Sequence, residues 1–441
     1  MTEFRVLPIR CGDSYLIRSG GCGDFLFDGG QDGCGLHELL EERKVRKLRA
    51  VFCTNTCRER LGGILDLMET GMGVTEYWFP ESLDLLMESA RRFDGDWQGW
   101  LAQGSNGKQI PYLADPQWNT FPDILPRDSA RRRMESVAML IALGMTLCLG
   151  ETPYAHLTRD SFIVKDNDEA EDGLTKFFIS TLETLSDRAA CRWQGEGAPV
   201  NRAITVIGKR LMRGGTTEDV AHLCGRLLLA EADLLPGGAE RGVRSLVTTL
   251  ALTAIAGALI LKSPARVRFM SNADCCQYAG LSRVPVKCIN GCPAEDRYTL
   301  PDLMSPKEIL EQARQTIDFR NGLVYQYGNR DCGVLLCGDT RLPFLGNGEA
   351  LVLDRPTIIA APRQGGPSTE RAYAHIHADD PNRNIWVRTH YSTARKVATS
   401  FSLQPNKLCL NNCGDTTLQE ILIRRTNGNW EQVSGGRCAR C

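Results

Sequence analysis

The stretch from Val51 to Gly63, VFCTNTCRERLGG, sets the tightest limit on how this chain folds. Val51, Phe52 and Cys53 form a short apolar run of the kind that becomes a buried strand. A polar turn follows. Leu61, Gly62 and Gly63 then lead into Ile64, Leu65, Leu67 and Met68, whose spacing predicts a helix. Strand, polar turn, glycine pair and helix together present the turn at the carboxyl end of the strand, where α/β proteins gather their ligands and reactive groups.

The flanks extend this pattern. Phe4–Ile9, Tyr15–Arg18 and Asp24–Asp28 predict three short strands, separated by the turn Cys11-Gly12-Asp13 and the glycine-rich Gly20–Gly23. The third ends on Asp28-Gly29-Gly30. Leu36 to Lys47 predicts a helix with Leu36, Leu39 and Leu40 on one side. Tyr77–Pro80 reads as a strand stopped by proline. From about residue 83 to 263 the period turns helical, with candidates at Met134–Leu149, Gly173–Trp193, Thr217–Leu235 and Ser245–Leu261. Strand signals return with Arg266–Met270. A helix opens at the capping box Ser305-Pro-Lys-Glu308, and strands follow at Gly322–Tyr327, Val334–Cys337, Thr357–Ala361, Ile385–Arg388, Lys407–Leu410 and Leu418–Arg424.

On this frame, Thr54 to Gly63 resembles without a gap the signature turn of the metallo-β-lactamase family, Thr-His-x-His-x-Asp-His-x-Gly-Gly. Thr54, Gly62 and Gly63 match it. Asn55 and Cys57 stand where the first two histidines belong, Glu59 stands for the aspartate and Arg60 for the last histidine. Other marks follow in the family's order. They are the Gly12-Asp13 turn, Asp28-Gly29-Gly30, the strand Asn321–Val324, Leu336-Cys-Gly-Asp339, and the closing strand pair from Cys409 to Leu418. Ala361-Pro-Arg363-Gln364-Gly365 stands in place of Pro-His-His-Gly, so the resemblance is strongest to the branch typified by the C-terminal domain of the DNA-uptake channel protein ComEC. It covers residues 4–80 and 265–425. It implies an α/β fold, a metallo-β-lactamase-like αββα sandwich with a large helical insertion. Residues 1–82 and 264–425 would be the two halves of the sandwich, 83–263 the insertion, and 426–441 a cysteine-containing C-terminal tail.

The resemblance also implies a centre that has lost its metal-binding histidines. The degenerate pocket comprises Asp28, Asn55, Cys57, Glu59, Arg60, Asp339, Arg363 and Gln364, with no catalytic residue and no cofactor expected in the former active site. A guanidinium cannot deprotonate in a protein and ligates no metal, and an amide oxygen is a poor zinc ligand. Two roles stay open for the remaining Asp28, Cys57, Glu59 and Asp339. Glu59 and Asp339 can serve as ion-pair partners of Arg60 and Arg363, or the four can rebuild a site around one metal. Cys57, near Arg58 and Arg60, is also a candidate nucleophile if those cations lower its pKa.

Away from that pocket, His375 and His377 are the only close histidine pair, in a loop rich in Asp and Asn. Cys409, Cys413, Cys438 and Cys441 carry the short paired spacings of a structural zinc site. Cys288, Cys292 and the adjacent Cys275 and Cys276 make a second cluster. The chain holds 18 cysteines and opens without a signal-peptide pattern, which predicts a reducing cytoplasmic setting with mostly unpaired thiols. Its net charge of −1 gives no clear nucleic-acid signature. Ser245–Leu261 carries no charge but holds three threonines, so it reads as a core helix, not a membrane span; a membrane-associated sensor built on it is the least favoured function.

Two functions remain. One is a catalytically inactive scaffold or partner-binding subunit. Soluble relatives of the ComEC-like branch occur beside proteases and signalling ATPases in bacterial conflict systems, so the resemblance implies a protein partner in an antiviral defence complex. The alternative is a divergent metal-dependent hydrolase, phosphodiesterase- or nuclease-like, with a site rebuilt from Asp28, Cys57, Glu59 and Asp339.

Overall fold

The computed structural model describes residues 2–91, 241–272, 285–294, 322–328, 331–346, 349–389, 397–411 and 418–437, together with His222, Gly225, Arg226, Leu228 and Leu229. The helices expected at 134–149, 173–193 and from Ser305 lie outside these residues, and the one at 217–235 does so in large part.

The chain divides into two compact units. Met1–Asp84, Pro264–Arg297 and Gln315–Cys441 make one; Leu85–Ser263 and Tyr298–Arg314 make the other. In chain order the described elements begin β1 (Thr2–Val6), β2 (Tyr15–Ser19), β3 (Gly23–Phe27), α1 (Leu36–Glu42), β4 (Lys47–Leu48), β5 (Ala50–Phe52) and α2 (Arg58–Thr70). Next come β6 (Gly73–Val74), β7 (Glu76–Pro80), α3 (Glu81–Arg91), α4 (Arg241–Lys262), β8 (Arg266–Asn272), β9 (Val286–Cys288) and β10 (Gly291–Pro293). Then follow β11 (Tyr325–Gly328), β12 (Gly333–Leu336), β13 (Leu351–Leu353), β14 (Thr357–Ala360), α5 (Glu370–Tyr373), β15 (Ile376–Ala378) and β16 (Ile385–Arg388). The chain closes with α6 (Thr399–Ser402), β17 (Lys407–Cys409), β18 (Ile421–Thr426), β19 (Asn429–Ser434) and β20 (Gly436–Arg437).

The first unit is mixed α/β and holds two large sheets. One has nine strands in the order β10-β8-β7-β5-β3-β2-β1-β18-β19, and the other seven, β20-β17-β16-β14-β12-β11-β9. β3, β5, β7 and β8 run parallel, as do β12, β14, β16 and β17. The strands at the flanks are antiparallel.

Alternation along each strand explains why two sheets form one core. Phe25, Phe27, Phe52 and Trp78 from the nine-stranded sheet meet Tyr325, Val334, Leu336 and Ile358 from the seven-stranded one in a single buried cluster. Tyr325 lies 5.1 Å from Phe52 and 6.0 Å from Phe27, ring centre to ring centre, so it ties the sheets together. The intervening residues Leu16, Leu26 and Val51 are buried too, as are Leu40, Leu61, Ile64 and Leu65 of α1 and α2, which pack on each other. On the outer face of the seven-stranded sheet, Leu335, Ile359 and Trp386 join Ala372 and Tyr373 of α5 and Phe401 of α6. The central parallel strands are therefore covered on both faces, as the apolar runs at Val51–Phe52 and Thr357–Ala360 require.

Residues 429–437, read from sequence as part of a tail, are strands. β19 extends the nine-stranded sheet and β20 pairs with β17 at the edge of the other. Trp430 is buried and donates its indole N–H to Gly333 O at 2.9 Å, which anchors the hairpin.

In the second unit α4 buries Leu250, Ala251, Ile255 and Ala256. A Cβ on Gly225 would stand 2.6 Å from Ile255 Cγ1, so the two backbones approach closely there. Among the described residues no helix is long and apolar enough to cross a membrane.

Candidate functional site

The loops after β3, β5, β12, β14 and β16 converge at the carboxyl ends of the parallel strands, joined by the turn between β1 and β2. Two glycine pairs bring the first of these loops together. Gly29 N donates to Arg60 O at 2.8 Å, and Gly63 N to Gly30 O at 2.9 Å. A Cβ on Gly63 would stand 2.1 Å from Gly29 O, and one on Gly62 would stand 2.4 Å from Asp32 N. Neither position can take a side chain without parting the backbones. The contact holds the first turn of α2 against the end of β3 and so sets Arg60 beside Asp28.

Arg60 is the centre of the site, with a side chain 1% exposed. Nη1 forms an ion pair with Asp13 and lies 3.3 Å from Asp28 Oδ2. Nη2 donates to Asp339 Oδ1 at 2.8 Å and Nε to Oδ2 at 3.3 Å, a two-pronged contact that uses the planar guanidinium fully. The carboxylates are themselves held. Asp28 accepts from Thr54 N and Thr54 Oγ1, each at 2.7 Å. Asp13 Oδ1 accepts from Gln364 Nε2 at 3.1 Å and from Thr389 Oγ1.

Backbone strain concentrates here. Asp28 has φ 56°, and Arg363, Gln364 and Gly365 follow one another at φ 44°, 58° and 75°. Left-handed conformations cost non-glycine residues about 1–3 kcal/mol each. The surroundings enforce them: Arg363 N donates to Gly338 O at 2.8 Å and Arg388 Nε to Gln364 O at 3.0 Å. The strained loop is what delivers the Gln364 amide to Asp13.

The residues singled out in the sequence separate into two groups. Asp28, Arg60, Asp339 and Gln364 come together. Cys57 Sγ lies at the rim, 3.8 Å from Asp339 Oδ2. Asn55 is buried but turns back on its own loop, accepting from Cys57 N at 2.9 Å. Glu59 is exposed and contributes only its carbonyl, which accepts from Asp13 N at 3.4 Å. It is not the partner of Arg60, because adjacent helical residues point about 100° apart. Arg363 turns outward to Ser368 Oγ at 3.0 Å. Asp13, Thr54 and Thr389 complete the site and were absent from the sequence-based set. The Gly12-Asp13 turn and Thr54 at the head of the signature-like turn were the available signals, and in the structure a Cβ on Gly12, at φ 88°, would meet Glu59 O.

The electrostatics follow from burial, from Arg60 and, for Asp339, also from the charge of Arg363. Burial opposes the charge on Asp339, but the Arg60 charge and hydrogen bond outweigh it, and its carboxyl sits below the usual range. Burial pushes the Asp28 carboxyl well above that range; the Thr54 donors oppose the rise and the Asp339 charge adds to it. Asp28 makes a longer contact to the guanidinium than Asp339 does, so its burial is less fully offset. Burial, followed by Asp339, pushes the Cys57 thiol well up. The expected lowering by Arg58 and Arg60 does not occur, and Arg58 is engaged with Asp32 at 2.9 Å.

The donor set does not fit a dication. The guanidinium already lies between Asp13, Asp28 and Asp339. A divalent ion about 4 Å from it would meet roughly 8 kcal/mol of repulsion at an effective dielectric near 20. Among the described residues no group of three or more His, Cys, Asp or Glu side chains is placed to hold a metal. His375 Nδ1 and His377 Nε2 each turn to a backbone carbonyl, of Glu349 and Ala374. Cys409 is buried on β17 among apolar residues, and Cys413, Cys438 and Cys441 lie outside the described residues. Cys275 and Cys276 lie outside them as well. No family of known proteins matches the chain, and no curated protein matches it.

Proposed function

We propose that this chain is a metallo-β-lactamase-like αββα sandwich in which a guanidinium takes the place of the metal, and that it works as a catalytically inactive scaffold binding a protein partner. The observation that carries the reading is Arg60, buried and in ionic contact with Asp13, Asp28 and Asp339. A cation fixed by three carboxylates keeps the loops of both sheets in register without a metal, so the fold survives the loss of the chemistry. What is left to such a protein is its surface, and a partner in a bacterial antiviral complex is the class that the resemblance offers.

Elemental analysis of chelator-washed protein, with phosphodiester and ester hydrolysis assays, tests the inactive half. No metal in the pocket and no turnover are expected, whereas Asn55→His, Cys57→His and Arg60→His together should raise zinc affinity. Metal-dependent hydrolysis by the natural chain, lost in Asp339→Ala, would overturn it. The scaffold half requires a defined stoichiometric complex with a protein encoded beside this one, measured by light scattering; a strictly solitary chain against each such neighbour refutes it.

A further inference from the structure

At the other end of the seven-stranded sheet, a cleft of about 560 Å³ opens where β16 and β17 begin and β19 crosses them. Arg388 and Thr389 leave β16 toward the Arg60 site, so the cleft and that site lie at opposite ends of the same strand. The volume falls within the range of small-molecule sites. Two cations line it, Arg383 and Lys407, and no carboxylate does. The Arg383 guanidinium makes no ion pair or hydrogen bond with any described residue, while the Lys407 ammonium is steadied by the Ser402 carbonyl.

Four carboxamides, Asn382, Asn406, Asn429 and Gln432, also line the cleft. Asn382 and Asn429 each offer a flat donor–acceptor pair, which matches the edge of a heterocyclic base, while the Gln432 amide already donates to Gly435 O. Asn406 reaches across to Asn382 O at 2.6 Å, which fixes the gap between the two loops. The floor is apolar, made by Pro405, Leu408 and Trp430. Because the indole N–H of Trp430 is already bonded to Gly333 O, only its ring carbons are left to the cleft. An apolar floor, amides at the sides and an unneutralised guanidinium at the rim are the three surfaces a nucleotide needs: one for the face of the base, one for its edge and one for phosphate.

We propose that this cleft binds a nucleoside phosphate, either free or as the terminal residue of a single strand. The test is titration calorimetry on the full chain at low salt, with adenosine monophosphate, adenosine, inorganic phosphate and a short oligoadenylate as probes. Adenosine monophosphate should bind, and both adenosine and phosphate should bind at least about tenfold more weakly, since a charge-assisted contact is worth about 1.5–3 kcal/mol. Arg383→Glu should weaken adenosine monophosphate by about tenfold or more with circular dichroism unchanged, and Asn429→Asp should weaken it by placing a carboxylate on the wall. Tighter binding of the oligonucleotide than of the mononucleotide assigns the strand terminus; equal binding assigns the free nucleotide. Phosphate binding as tightly as the nucleotide, no nucleotide binding at all, or binding that survives both substitutions would overturn the proposal.

Discussion

Replacing Arg60 by Met removes the charge while keeping most of the side-chain length, and it tests whether this one cation organises the site. The guanidinium contacts three carboxylates in a place where its own side chain is 1% exposed. Removing one partner of a buried ion pair costs about 3–5 kcal/mol, because uncompensated charge stays behind. Here the charge left behind is Asp13, Asp28 and Asp339. Without the guanidinium the Asp28 and Asp339 carboxyls take up protons more readily, and each that takes a proton one unit above the ambient pH recovers about 1.4 kcal/mol. The destabilisation of Arg60→Met should therefore be about 3–5 kcal/mol near pH 7.5 and smaller by about 1–3 kcal/mol near pH 5. Urea unfolding measures this; guanidinium chloride would supply the missing cation. Adding Asp339→Asn to Arg60→Met should restore part of the loss, since it removes charge that had lost its partner. A cost below about 1 kcal/mol, the same at both pH values and unaltered by Asp339→Asn, would show that the cluster does not hold the loops.

Three further outcomes follow from the same geometry. Gly63→Ala would press a Cβ against Gly29 O at 2.1 Å, and should cost about 3 kcal/mol or more or prevent folding, whereas Gly21→Ala, with nothing within 4 Å, should be neutral; thermal melting of both variants compares them. Asp28 has a raised folded pKa, so the native state binds its proton more tightly than the unfolded chain does. The stability this gives is fully present below the unfolded value of about 3.9 and is lost as pH rises through the folded one. Asp28→Asn should therefore gain on the natural protein as pH rises above about 4, while the Asp339 contribution is lost only as pH falls below that value; equal pH slopes for the two proteins would refute the assignment. In timed alkylation near pH 7.5, exposed Cys22 should be modified well before buried Cys53 and the raised Cys57 thiol, and early loss of Cys57 would contradict its placement.

The strands were legible because their apolar pattern is what buries them. Ile385–Arg388 has the bounds expected from sequence, and the apolar run at Val51 is β5, the strand from which the site hangs. The ends of helices were less legible. α1 stops at Glu42, although the charged pattern runs on to Lys47, because Lys44 takes φ 57° and Val45 N returns to Leu40 O. That ending normally advertises itself with glycine, and here lysine occupies it. α2 begins at Arg58 and not at Leu61, on a Cys57 N-cap that makes no side-chain hydrogen bond. Asp13 escaped because its pairing with Arg60 joins residues 47 positions apart, and no local period reports such a contact. The strands at 429–437 escaped for a similar reason: the glycines and cysteines near the end masked the role of Trp430 as the inward residue of an edge hairpin.

The pattern of strain says why the arginine is tolerated. Asp28, Arg363 and Gln364 sit in left-handed backbone at about 1–3 kcal/mol each, on two loops whose Asp28 and Gln364 side chains face the Arg60 cluster while Arg363 turns outward. Loops bent this way are stable only where something at their centre outweighs the cost, and Arg60 is the group that all of them reach, directly or through Asp13. A neutral residue at position 60 would leave the same strain with nothing to offset it, and a histidine there would restore an acceptor but too short a reach to span Asp13 and Asp339 together. The length and the two-sided fork of arginine fit this position, so Arg60→Lys should fail to replace it: one ammonium cannot make the paired contact with Asp339 and still meet Asp13. If Arg60→Lys matched the natural protein in urea, charge alone would suffice and the geometric account of the site would be wrong.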